Sequence, residues 1–115
     1  MCETRILSQK GAALIGQCPE CQTVYIWHQN LILNFTETQF SDFRDFARDL
    51  DFDERALPFP HGQERAVLRT PHNDINFTFT VAEWVNFQAA IDEAIYMMEV
   101  YGLISPPERE GGCNW

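Results

Sequence analysis

Phe35-Thr36-Glu37-Thr38-Gln39-Phe40 joins a β-branched, aromatic run to an amphipathic one. A Thr followed three residues later by Gln is a capping box, and the flanking phenylalanines occupy the positions of a hydrophobic staple. Both features mark a helix start, so a helix is predicted to begin at about Glu37. Before it, residues 23–27 and 31–35 predict a β-hairpin whose turn lies near Gln29-Asn30.

The residues after this boundary recur at helical spacing. The helix is predicted to end between Leu50 and Phe52, because Pro58 and Pro60 cannot continue it, and residues 51–63 are predicted to form a connector. Its apolar stripe is predicted to consist of Phe40, Phe43, Ala47 and Leu50, widened by Phe46.

The same order of features then recurs. Residues 65–69 and 75–79 are strand-like and flank a turn at residues 70–74. Thr80-Val81-Ala82-Glu83 is a second capping box, with Phe79 and Trp84 as its staple. The second helix is predicted to be longer and to stop at Gly102. Its stripe is predicted to consist of Trp84, Phe87, Ile91, Ala94, Met98 and Tyr101.

These elements predict one α+β domain over residues 1–104. We expect an antiparallel sheet of about four to six strands with two amphipathic helices packed on one face. Residues 1–52 and 64–104 each form a hairpin-helix unit, which indicates either internal duplication or the general appearance of a hairpin that leads into a capped helix. Residues 105–115 contain Pro and Gly and are predicted to form an extended tail.

Charge and hydropathy exclude several classes of function. The net charge is -9, and the eight basic residues form no cluster that could neutralise a row of phosphates, so no nucleic acid partner is expected. No apolar run approaches about 18 residues, which argues against a membrane span. The N-terminus lacks the pattern of a signal peptide, and a cytoplasmic protein is predicted.

The N-terminal hairpin is predicted to bring cysteines together. Residues 6–7 and 12–15 are apolar and are separated by Gln9-Lys10-Gly11, which is typical of a three-residue hairpin loop. If Ser8 pairs with Ala12, Cys2 lies opposite Cys18. A slip of one residue would move the side chains to the other face of the sheet.

Cys18-Pro19-Glu20-Cys21 resembles a zinc knuckle, in which two thiolates at i and i+3 bind one metal ion. Such knuckles usually place Gly next, where this chain has Gln22. A structural zinc site needs four ligands, and the predicted set is Cys2, Cys18, Cys21 and Cys113. In a cytoplasmic protein these cysteines are expected to be reduced or metal-bound rather than disulfide-linked, and reduced structural thiols or redox chemistry stay as alternatives to zinc.

The sequence gives weaker evidence for histidine ligands, for thiol redox chemistry and for catalysis. His28 lies seven residues along a strand from Cys21, which at about 3.3 Å per residue places it over 20 Å from the Cys tip and makes it a poor zinc ligand. His61 and His72 are expected in solvated turns. A redox Cys-x-x-Cys normally begins a helix that lowers the thiol pKa, whereas a strand follows here, and Glu20 disfavours the thiolate. No catalytic constellation is present, so the protein is predicted not to be an enzyme.

Three segments carry a resemblance to a known family: residues 1–3, residues 18–21, and Asn30-Leu31-Ile32-Leu33-Asn34-Phe35-Thr36. Through them the chain resembles a family of short uncharacterised proteins of the Bacteroidetes, with an N-terminal Cys and a Cys-x-x-Cys tip. The resemblance implies a bacterial protein of unknown function and transfers no catalytic residue.

The predicted function is a non-enzymatic binding or adaptor module whose Cys tip holds structural zinc. A protein partner is expected, and a homodimer can form through an uncovered sheet face or edge. The alternative is a thiol-dependent redox or metal-handling protein that uses Cys18 and Cys21.

Overall fold

The computed structural model describes residues 4–104, which form seven strands and three helices. This confirms the α+β class. The strands form two antiparallel sheets, of four and three strands, where the sequence predicts one sheet of about four to six. The elements are β1 Arg5–Lys10, β2 Ala13–Gln17, β3 Val24–His28, β4 Leu31–Phe35, α1 Glu37–Arg48, α2 Phe52–Arg55, β5 Ala56–Pro58, β6 Glu64–Arg69, β7 Asn76–Phe79 and α3 Val81–Ile104.

The first hairpin is tighter than the sequence predicts. Lys10 pairs with Ala13 across a two-residue loop, and Gly11 has a φ of 56°, a conformation that glycine adopts without steric cost. A register shift between Ile6 and Ser8 places Ser8 opposite Ile15. The predicted pairing of Ser8 with Ala12 is therefore wrong, whereas the predicted position of Cys2 opposite Cys18 lies outside the described residues.

The boundary at residues 35–40 is confirmed. The turn between β3 and β4 lies at Gln29-Asn30, and α1 begins at Glu37. The Thr36 hydroxyl accepts a hydrogen bond from the Gln39 N–H at 3.0 Å, and the Gln39 side chain accepts one from the Thr36 N–H at 3.0 Å. The rings of Phe35 and Phe40 meet edge to face at 6.1 Å. α1 ends at Arg48, slightly before the predicted end.

The predicted connector contains two short elements. α2 and β5 lie within residues 51–63, and β5 pairs with β6. The second capping box forms as predicted, with the Glu83 N–H donating to the Thr80 hydroxyl at 3.2 Å and the Thr80 N–H donating to the Glu83 carboxylate at 2.9 Å. α3 continues past Gly102 to Ile104, so Gly102 does not end it.

One core joins both sheets. α3 packs on β1 and β2, and the Ser8 hydroxyl donates to the Ala90 carbonyl at 2.7 Å. Phe87 contacts His28 from the four-stranded sheet and Phe79 from the three-stranded sheet, with ring centroids 6.2 and 4.5 Å away. The inner face of the four-stranded sheet is thus covered, while its outer face is not covered by any described helix.

Within residues 4–104, no helix is long and apolar enough to cross a membrane.

Candidate functional site

The Cys tip forms a tight turn between β2 and β3. The Cys18 N–H donates to the Thr23 carbonyl, and the Gln22 N–H donates to the Cys18 carbonyl, both at 2.9 Å. Gln22 has a φ of 67°, the left-handed conformation that knuckles usually assign to Gly. Its side-chain amide donates to the Pro19 carbonyl at 3.1 Å. Gln22 therefore adopts the positive φ at the position after the second cysteine without being a glycine.

The two thiols of this turn occupy different environments. Cys18 is fully buried. Cys21 is half-buried, its sulfur lies 3.2 Å from the Thr23 hydroxyl, and it is disulfide-bonded, where the sequence predicts reduced or metal-bound thiols. The other two predicted ligands, Cys2 and Cys113, lie outside the described residues. In residues 4–104, no group of three or more His, Cys, Asp and Glu side chains could hold a metal ion.

Side chains of two neighbouring rows form the outer face of the four-stranded sheet in the described residues. The strand register aligns two rows of side chains across it, and within the described residues neither row contains a charged side chain. Three of the apolar side chains are about half exposed: Ile6 at 52%, Trp27 at 49% and Ile32 at 47%. The rows are Ile6, Gly16, Tyr25 and Asn34, and Gln9, Leu14, Trp27 and Ile32.

A polar pocket of about 420 Å³ lies between the end of β3 and strand β7. The end of β3 and the following turn, residues 28–31, line one wall, and residues 76–78 of β7 line the other. Arg65 and Glu83 complete it and lie 3.4 Å apart as an ion pair. The pocket therefore collects hydrogen-bonding groups from both sheets and from the start of α3.

His28 is the most deeply buried polar group in this pocket, with 6% of its surface exposed. The rings of Phe77, Phe79 and Phe87 meet it nearly edge to face at 6.1, 5.0 and 6.2 Å. Burial lowers the pKa of His28, and the nearby Glu83 carboxylate opposes that shift only in part. The imidazole is therefore neutral at pH 7, with one donor and one acceptor nitrogen.

Glu83 is held in its ionised form. Burial alone would raise its pKa, but the hydrogen bond from Thr80, together with His28, Arg65 and the Gln29 amide, outweighs burial and lowers the pKa overall. Its Oε2 accepts from the Gln29 side chain at 3.1 Å, and its Oε1 accepts from Thr80 and Arg65. The carboxylate thus ties the cap of α3 to the β3–β4 turn and to β6.

Residues 1–56 match the model of a family of unknown function (DUF6686). No curated protein and no solved structure matches the chain. The matched segment is slightly less than half of the 115 residues and contains the four-stranded sheet, α1 and α2. It includes the outer sheet face and the Cys tip, whereas Arg65, Glu83 and β7 of the pocket follow it. The similarity is to an uncharacterised family, as the sequence resemblance implies, and transfers no activity to this chain.

Sequence reasoning missed the pocket, although one signal for it was available. Val24, Ile26 and His28 alternate with Tyr25 and Trp27, and this period places His28 on the core face of β3. The other histidines lie apart from the pocket. His72 Nε2 is 2.9 Å from the Asn34 carbonyl oxygen, and His61 Nδ1 accepts from the Gln63 N–H at 3.3 Å.

Proposed function

We propose that the protein is a non-enzymatic binding module that associates through the outer face of its four-stranded sheet. The row that contains Trp27 carries this proposal, because Trp27 and Ile32 are cross-strand neighbours and each is about half exposed. Gly16 and Tyr25 of the other row are buried. Contiguous exposed apolar side chains on a sheet mark interaction surfaces, and Trp is among the residues that contribute most to binding energy. Trp27 lies at the middle of its row, between Leu14 and Ile32.

The partner that fits this face best is a second copy of the chain. A net charge of -9 makes two copies repel each other over most of their surface. The outer face is where they can meet without bringing carboxylates together. A two-fold axis through this face would pack two sheets as a sandwich about 10 Å thick, with the row that contains Trp27 stacked on its counterpart.

Sedimentation velocity of the full chain between about 1 and 100 μM tests this association. The wild type is expected to be a dimer at the upper concentrations and Trp27→Asp a monomer, because a buried unpaired carboxylate opposes the interface. Val85→Asp is the matched control, since Val85 is 60% exposed on α3 and lies outside the face. A wild type that stays monomeric, or equal dissociation by both variants, contradicts the proposal.

A separate proposal concerns structural zinc at the Cys tip. The left-handed conformation of Gln22 supports zinc binding by Cys18 and Cys21 together with Cys2 and Cys113. The zinc would fasten the N-terminal strand to the following hairpin. The redox alternative is less favoured, because thiol exchange requires access and Cys18 is fully buried.

Elemental analysis tests the zinc proposal. Protein purified under reducing conditions, without chelator or a His tag, is expected to contain one zinc per chain, and Cys21→Ser is expected to lose most of it. Reducing conditions are essential because a disulfide-bonded Cys21 cannot bind zinc as a thiolate. Reduced wild-type protein without zinc would show instead that the tip contains only structural thiols.

A further inference from the structure

The polar pocket lies beside an unfilled sheet edge. In the described part of the chain, β7 pairs with β6 alone, and β4 pairs with β3 alone. β7 is therefore an edge strand, and residues 76–78 of that strand form one wall of the pocket. Edge strands present unpaired N–H and C=O groups and accept an added strand from another chain.

His28 offers hydrogen-bonding nitrogens to that pocket. Its side chain lines the cavity, and no hydrogen bond among residues 4–104 involves its ring. The ring nitrogens are nevertheless not among the fully buried atoms that lack a partner, so they are accessible from the cavity although most of the side chain is buried. A ligand that offers both a donor and an acceptor would satisfy a neutral imidazole.

The charges in the pocket exclude a strongly ionic ligand. Arg65 and Glu83 neutralise each other, and both carboxylate oxygens of Glu83 already accept hydrogen bonds. An added anion would face Glu83, and an added cation would face Arg65. A neutral ligand with alternating donors and acceptors avoids both penalties, and an extended peptide backbone has this character.

We propose that an extended peptide segment adds to the free edge of β7, with one uncharged residue in the pocket and a backbone amide group hydrogen-bonded to the His28 ring. Binding is by strand addition, in which main-chain hydrogen bonds supply affinity and the pocket supplies selectivity. The site is distinct from the outer face, because His28 and Trp27 point to opposite faces of β3. Failure of either proposal therefore leaves the other intact.

NMR titration of the ¹⁵N-labelled full chain provides the test. The probe is the capped peptide acetyl-Val-Thr-Val-Thr-amide, added to about 1 mM. We expect shifts of the backbone amides of residues 76–79 and of the His28 ring nitrogens. The control probe is the same peptide with alternate backbone nitrogens methylated, which retains the side chains but cannot donate the ladder hydrogen bonds.

A second comparison uses the chain itself. His28→Phe retains an aromatic ring among the phenylalanines and removes both nitrogens, so it should weaken binding about tenfold, the loss expected for one hydrogen bond to a buried group. Tyr96→Gln changes a residue of α3 that is 63% exposed and does not line the pocket, and it should bind the peptide as the wild type does. Absence of shifts at β7, or equal binding of the methylated peptide by the wild type, overturns the proposal, and the methylated probe decides the outcome even if His28→Phe fails to fold.

Discussion

Tyr25 lies across Gly16, its partner on the neighbouring strand. A Cβ added to Gly16 would lie 2.5 Å from the Tyr25 ring, closer than real Cβ atoms come to any neighbour. The glycine therefore makes room for the ring on the outer sheet face. Gly16→Ala should displace the ring and lower the free energy of unfolding by about 1–3 kcal/mol, as measured by urea denaturation.

A double-mutant cycle separates this clash from the intrinsic preference of alanine for a strand. In a Tyr25→Leu background the smaller side chain leaves room for the new methyl group, so the cost of Gly16→Ala should fall to less than half. An equal cost in both backgrounds would show that the ring does not cause the loss.

His28 makes stability depend on pH in a defined direction. Its pKa in the folded protein is below 6.5, so as the pH falls below 6.5 the unfolded chain takes up the proton first. The free energy of unfolding should therefore decrease between about pH 7.5 and pH 5.5. Glu83, whose folded pKa is below 4.5, adds a further loss only at more acidic pH, as the pH falls through that folded value.

Two histidine variants test whether His28 causes this pH dependence of the free energy of unfolding. His28→Gln should show a smaller decrease over that pH range than the wild type in urea denaturation. His61→Gln changes a histidine in the exposed connector and should behave as the wild type does. A decrease that persists unchanged in His28→Gln would assign the pH dependence to other groups.

At the scale of elements, the two capping boxes should contribute similar amounts to the free energy of unfolding. Thr36→Ala and Thr80→Ala each remove the hydroxyl that accepts from the third residue of the helix, and each should cost about 1 kcal/mol. Thr38→Ala lies in the first turn of α1, contributes to neither cap and serves as the control. Thermal or urea unfolding measures the difference, and a Thr38→Ala loss equal to the other two would contradict a capping role.

The elements that the sequence predicts well are those fixed by local chemistry. Residues 35–40 and 79–84 form caps and staples through contacts between residues only a few positions apart. The Gln29-Asn30 turn is likewise indicated by the strand-like residues 23–27 and 31–35 that flank it. The elements missed depend on distant partners. β5 exists as a strand because it pairs with β6, and the first hairpin changes register through a bulge between Ile6 and Ser8.

The two candidate sites also differ in how far the sequence predicts them, because one is local and the other depends on tertiary packing. The Cys tip is a local motif, so its turn could be predicted, although the ability of Gln22 to adopt a positive φ could not. The pocket combines β3, β7 and the cap of α3, and only tertiary packing brings them together. Phe46 likewise lies at the spacing of the apolar stripe of α1, yet 43% of its surface is exposed. Helical spacing alone does not show which side of the stripe other elements cover.

At the scale of the whole molecule, α3 is the element on which both sheets depend. It covers β1 and β2, and its Phe87 ring packs against Phe77 and Phe79 of the other sheet. The family match ends at residue 56, so it includes the four-stranded sheet but not α3. Without α3, the face of β1 and β2 that carries Leu7 and Ile15 would be uncovered. A sheet with its core face open to water cannot recover the conformational entropy lost on folding.

Residues 1–56 alone should therefore be unfolded, with poorly dispersed amide resonances and a strand-poor circular dichroism spectrum. The full chain under the same conditions is the control and should show the dispersed amide resonances of a folded protein. Mixing residues 1–56 with residues 57–115 should restore dispersion, because the second fragment supplies α3. A folded 1–56 fragment would show that the four-stranded sheet is an independent unit and that α3 is an addition to it.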